Sequence, residues 1–68
     1  MNYIIRKMVA GNNYWLERVE YIAYEYVYTW TGLIDNAMEM PFATKRKYMT
    51  NLQKRFSGDW YKAEKVNN

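Results

Sequence analysis

The sequence predicts a small α+β domain: an antiparallel sheet of three to four strands with one amphipathic helix, from the C-terminal half of the chain, packed on one face. Three observations predict it. β-branched and aromatic residues dominate the first part of the chain, a turn-forming cluster at Gly11-Asn12-Asn13 interrupts them, and beyond Pro41 the apolar residues change to a three-four spacing. With 68 residues the chain forms one domain, 1–68, near the lower limit of what folds on a single hydrophobic core.

Residues 2–9 read as the first strand, and Gly11-Asn12-Asn13 as a turn able to take positive φ. Residues 14–20 return as the second strand of a hairpin. In residues 21–31, Tyr24, Tyr26, Tyr28 and Trp30 fall at every second position, which on a third strand lines one face. A helix is the alternative for 14–30, because Leu16, Val19, Ala23, Tyr26 or Val27, and Trp30 also follow helical spacing, with Asn13 as N-cap. The abundance of Tyr, Val, Thr, Trp and Ile favours the strand.

Thr31-Gly32 closes this run, and residues 33–38 form a short helical turn with Leu33, Ala37 and Ile34 as its inward residues. Pro41 forbids a helix from continuing through Met40. Thr44 is then the expected N-cap of a helix reaching Ser57, ended by Gly58. Tyr48, Met49, Leu52 and Phe56 share its apolar face, with Lys47, Thr50, Asn51 and Lys54 on the other. Residues 60–66 alternate as a final strand, and 67–68 are a loose end.

The inventory of reactive groups argues against an enzyme. There is no cysteine and no histidine, and Ser57 is the only serine, so nucleophile–base pairs of the common kinds cannot be assembled and the usual zinc ligands are missing. The acidic residues are too scattered for a calcium or magnesium loop. No cofactor and no metal site are expected. The N-terminal residues show neither a signal peptide nor a membrane span, which places the protein in the cytoplasm of its host cell, away from membrane.

Net charge is +3, but its distribution is uneven. Across residues 17–39 Arg18 is the one cation against Glu17, Glu20, Glu25, Asp35 and Glu39, whereas residues 45–55 hold Lys45, Arg46, Lys47, Lys54 and Arg55 without an acid. With Thr44 as N-cap, Lys45, Arg46 and Lys47 would sit in the first helical turn, where unpaired N–H groups already concentrate positive potential. Such placement suggests a negative partner, either phosphate or an acidic protein patch. A solvated outer face is the simpler explanation for Lys47 and Lys54, and Arg55 is expected to pack along its stem.

The aromatic complement is the second signal. Eight Tyr, three Trp and two Phe exceed what so small an interior needs. Any single tyrosine of the ladder serves well enough as sheet packing, but together they predict a Tyr-rich amphipathic surface left in the open on one side of the sheet. Lys45, Arg46, Lys47, Lys54, Arg55, Tyr24, Tyr26, Tyr28 and Trp30 are therefore the expected binding residues. Nucleic acid is a less favoured partner, since Glu17, Glu20 and Glu25 lie near the aromatic strand and no RNA-recognition signature is present.

The succession Tyr3-Ile4-Ile5-Arg6, Asn13-Tyr14-Trp15, Trp30-Thr31, then residues 37–44 leading into an amphipathic helix and the closing strand at 61–66, resembles the small accessory proteins of phages and mobile elements of Gram-positive bacteria, among which anti-CRISPR and other anti-defence inhibitors occur. The resemblance is one of layout and carries no functional residue with it. It implies a non-enzymatic protein that occupies a larger protein or nucleoprotein complex. The chain's basic charge sets it apart from acidic DNA mimics. The alternatives are a small nucleic-acid-binding module with the helix on phosphates, and a homodimeric structural or assembly component.

Overall fold

In the computed structural model, which describes residues 1–66, four strands and one helix follow in the order β1 (Asn2–Val9), β2 (Asn12–Ile22), β3 (Glu25–Thr31), a single 3-10 turn (Ile34–Asn36), α1 (Phe42–Arg55) and β4 (Trp60–Val66). The sheet is antiparallel throughout, with strand order β3-β2-β1-β4, and α1 lies on one face of it. The helical alternative for 14–30 is thereby set aside.

A bulge explains why that alternative existed. Leu16 pairs with Trp30 and Arg18 with Thr29, so Glu17 is an extra residue in β2. Leu16 and Val19, three apart, consequently point to the same side, and the strand borrows a helical spacing without being helical. On the helix side the bulge aligns Leu16, Val19 and Tyr21 with Trp30, Tyr28 and Tyr26.

Both hairpins turn in two residues. Ala10 (φ 51°) and Gly11 (φ 81°) join β1 to β2, and Ala23 (φ 51°) and Tyr24 (φ 65°) join β2 to β3. Positive φ at both central positions is the turn that matches the right-handed twist of the flanking strands. The first turn thus lies one residue earlier than the Gly11-Asn12-Asn13 cluster suggests, because Asn12 and Asn13 already pair with Val9 and Met8. Tyr24 likewise leaves the ladder for the tip of the second hairpin.

β1 and β2 part company after the Arg6–Trp15 pair, and residues 38–40 fill the gap. Tyr3 and Met40 exchange two backbone hydrogen bonds of 2.8 and 2.9 Å, and the Met38 N–H donates to the Leu16 carbonyl at 2.8 Å. The closed core lies here: Ile5, Leu16, Met40 and Leu52, one each from β1, β2, the connecting segment and α1, are buried almost completely. Each such side chain contributes about 1.5–3 kcal/mol. Leu33 and Ile34 are exposed rather than inward, while Ala37 is half-buried. The 3-10 turn is held by hydrogen bonds from Asn36 and Ala37 to the carbonyls of Leu33 and Ile34, and so does not need those side chains in the core.

The helix begins earlier than Thr44. Pro41 is its N-cap, its carbonyl accepts from the Lys45 N–H at 2.9 Å, and no side chain caps the end. The bridge from Met40 to Tyr3 fixes the chain up to Pro41, and proline has no N–H to satisfy, so helix can follow at once. At the far end α1 stops at Arg55 with Phe56 as C-cap, short of Ser57. Gly58 is not among the residues with positive φ, so it is not the left-handed cap expected of it.

Candidate binding surface

The new start of α1 changes the meaning of its cations. Phe42, Ala43 and Thr44 are the first three helical residues, and Lys45, Arg46 and Lys47 occupy positions four to six. They lie largely beyond the first turn, where the helix dipole acts most strongly, so the local penalty inferred from a Thr44 cap does not apply in full. The absence of any acid in α1 does stand: its 14 residues carry five cations and no carboxylate.

Aromatic rings, more than carboxylates, receive these cations. Lys45 Nζ lies 4.2 Å from the Phe42 ring centre and 5.0 Å from that of Tyr3. Lys47 Nζ lies 5.2 Å from Tyr48 and 5.6 Å from Tyr26. The Arg55 guanidinium stands 4.9 Å over Phe56, while donating to the Tyr26 carbonyl at 2.5 Å and to Glu25 Oε2 at 3.3 Å. Lys7 sits 4.6 Å over Trp30, and Arg6 5.2 Å over Trp60. In all, five cations make seven approaches within about 6 Å of a ring centre. Arg46 and Lys54 are the two helix cations with neither ring nor carboxylate beside them among the described residues, and both are exposed.

The ladder faces the helix and not solvent. Tyr26, Tyr28 and Trp30 are half-buried under α1. Tyr48 of α1 meets Tyr26 and Tyr28 edge-on, at centroid distances of 5.6 and 6.1 Å, and the Tyr28 hydroxyl donates to Asn51 Oδ1 at 2.5 Å. Asn51 therefore belongs to the packed side of the helix, not its outer face. Trp30 stacks on Tyr61 at 5.8 Å while Lys7 lies over its ring. The open side of the sheet is not tyrosine-rich. It carries Trp15 and Trp60, exposed Met8, Ile22 and Val27, and the ion pairs Arg6–Glu64 (3.2 Å) and Arg18–Glu20 (3.3 Å). The Arg6 Nε makes its pair without hydrogen-bond alignment, and the buried Trp15 Nε1 has no partner.

Between the C-terminal half of α1 and the sheet a cleft of about 250 Å³ opens, with Lys7, Arg55 and Asp59 among its walls and Tyr28, Trp30 and Tyr61 behind them. Burial pushes the Tyr28 hydroxyl up to about 12; Arg55 opposes the shift, and Tyr26 and Tyr48 add to it. Burial also pushes Tyr61 up to about 12, reinforced by the charge of Asp59 and by the 3.2 Å hydrogen bond its hydroxyl donates to Asp59 Oδ2. Both hydroxyls stay neutral at physiological pH.

Of the residues expected to bind, the fold gathers Tyr26, Tyr28, Trp30, Lys47 and Arg55 along one seam. It sends Lys45 to the helix start, leaves Arg46 and Lys54 on the outer helix surface, and puts Tyr24 at the hairpin tip. Lys7, Asp59 and Tyr61 were missed. Lys7 had a signal: it follows Tyr3 and Ile5 on the inward phase of β1, where an ionisable residue is out of place. No helix among the described residues is long and apolar enough to cross a membrane. Comparison with protein-family models, curated proteins and solved structures finds no match.

Proposed function

We propose that this chain is a non-enzymatic binding protein that occupies an anionic surface on a larger protein or nucleoprotein complex, as small inhibitors carried by phages and mobile elements do. The observation that carries it is the acid-free helix. Five cations and no acid on 14 residues leave the helix with unbalanced positive charge, and rings restrain Lys45, Lys47 and Arg55. Pre-positioned charge lowers the ordering cost of association. Arg46 and Lys54, with no internal partner among the described residues, stand ready for an external one.

Single-strand nucleic acid is the weaker alternative, because base stacking needs free ring faces. Trp30 is taken by Lys7 and Tyr61, and Tyr26 and Tyr28 meet Tyr48 edge-on. The test is affinity purification of the tagged chain from its host at moderate salt. One stoichiometric protein partner, lost when Arg46 and Lys54 are both changed to Glu, is expected; recovery of nucleic acid alone would sink the proposal.

A further inference from the structure

The two edges of the sheet are not alike. Strand order β3-β2-β1-β4 leaves β3 and β4 each with one unpaired side, and an open row of main-chain N–H and C=O groups is a template for another strand. On β3 the Arg55 guanidinium covers the Tyr26 carbonyl at 2.5 Å, and Glu25 holds that guanidinium in place at 3.3 Å. On β4, Trp60–Val66, no side chain among the described residues bonds to the main chain.

Charges on an edge strand ordinarily deter pairing, and β4 carries Lys62, Glu64 and Lys65. Their order decides which pairing they deter. An antiparallel copy that extends the sheet is related to the first by a two-fold axis normal to the sheet, so one residue meets its own counterpart on that axis. Centred on Lys62, the pairing opposes lysine to lysine; centred on Glu64, it opposes glutamate to glutamate. Centred on Ala63, it uses all seven residues of β4 and opposes no like charges. Lys62 then faces the partner's Glu64, Tyr61 the partner's Lys65 and Trp60 the partner's Val66, each twice by symmetry, with the small Ala63 on the axis. The register with β1 puts Trp60, Lys62, Glu64 and Val66 on the open face and Tyr61, Ala63 and Lys65 on the helix side, so both members of every pair share a face. The charges are also available. Lys62 is exposed and makes no ion pair among the described residues, and Glu64 meets Arg6 through Oε1, which leaves Oε2 for a second cation.

We infer that β4 is the interface for a second copy of this chain, paired antiparallel across Ala63 so that two four-stranded sheets become one. Self-complementary charge selects that occupant: the order Lys62, Ala63, Glu64 matches its own reverse in one register and repels itself in the registers on either side. The inference is independent of the proposed function and extends it, since the two-fold axis sets both acid-free helices on one face of the joined sheet.

Sedimentation equilibrium at up to about 1 mM chain reads the dimer, because pairing through one strand lies at the small, weak end of interfaces. The wild type should pass from monomer to dimer across the concentration series. Lys62→Glu alters a side chain with no ion-pair partner in the monomer and should weaken the dimer at least about tenfold. Glu64→Lys should do the same, with circular dichroism reporting that it stays folded without the Arg6 pair. Mixed in equal amounts, these two variants should form a heterodimer of about wild-type strength, because each altered position then meets the opposite charge; pairing elsewhere on the molecule would not give this rescue. Ala63→Cys, the one thiol in the chain, should form a disulfide-linked dimer under mild oxidation, since residues directly opposite in an antiparallel pair have Cα atoms about 4.5–5.5 Å apart, and it serves if Glu64→Lys unfolds. A wild-type chain that stays monomeric, a Lys62→Glu dimer of unchanged strength, folded charge variants that fail to pair, or an Ala63→Cys chain that does not crosslink would each overturn the inference. None of these results touches the basic-helix proposal, which the affinity purification reads separately.

Discussion

Alkaline pH probes the seam between helix and sheet directly. Tyr28 and Tyr61 ionise near 12 in the folded chain, against about 10 when unfolded. Between those values the folded state holds protons that the unfolded state has released, so stability must fall as pH rises through the window; below about pH 10 the contribution is fully present. One extra proton held by the folded state gives a slope of about 1.4 kcal/mol per pH unit, and two give about 2.7. Both rings are partly solvated, which lowers each slope but keeps the two contributions comparable. Tyr28→Phe removes one of them together with the 2.5 Å bond to Asn51. Stability at neutral pH should drop by about 0.5–1.5 kcal/mol, and the loss between about pH 10 and 12 should shrink to roughly half that of the wild type. Urea unfolding followed by tryptophan fluorescence, repeated from neutral pH upward, measures both quantities. An alkaline slope identical in wild type and Tyr28→Phe would refute the account, since the hydroxyl would then be titrating as if already solvated.

The remaining expectations are brief. Leu52→Ala empties the one fully buried position of α1 and should cost about 2–5 kcal/mol, enough in so small a domain for circular dichroism to show a large fall in melting temperature. Gly11→Ala meets nothing within 4 Å, yet forces a side chain to φ +81°; about 1 kcal/mol should be lost in chemical denaturation. Arg55→Met frees the Tyr26 carbonyl on the outer strand β3 and unpairs Glu25. Stability should fall by about 1 kcal/mol, and light scattering should show more self-association as that edge loses its cover.

How much of this was legible in the sequence depended on whether the signal was local. The strands, the helix and their order follow from β-branched and aromatic runs and from the spacing of Tyr48, Met49 and Leu52. Non-local causes hid the rest. Thr44 has the right chemistry for a cap, but Tyr3, 37 residues before Met40 in sequence, fixes the chain there and lets the helix start at Phe42. The alternation of Tyr24 with Tyr26 and Tyr28 is genuine as a pattern and misleading as geometry, because the turn falls on Tyr24 itself. No local rule places Glu17 in a bulge, and in a strand without the bulge Leu16 and Val19 fall on opposite faces. The cleft was invisible for the same reason: Lys7, Tyr28 and Asp59 come from three separate parts of the chain.

The surplus of aromatics and the surplus of cations have a common explanation. A 14-residue helix with five cations and no acid cannot neutralise itself, and the carboxylates nearby serve one of those cations, Arg55. Rings hold two more, Tyr3 and Phe42 seating Lys45 and Tyr26 and Tyr48 seating Lys47 without cancelling their charge, while Arg46 and Lys54 have neither kind of partner among the described residues. A carboxylate in the same place would have fixed the side chain equally well and removed the positive potential from the surface. Aromatic seating thus keeps the helix basic and ordered at once, the combination that the proposed anionic partner would call for. Tyr24, by contrast, is the exposed ring that among the described residues meets neither a cation nor another ring.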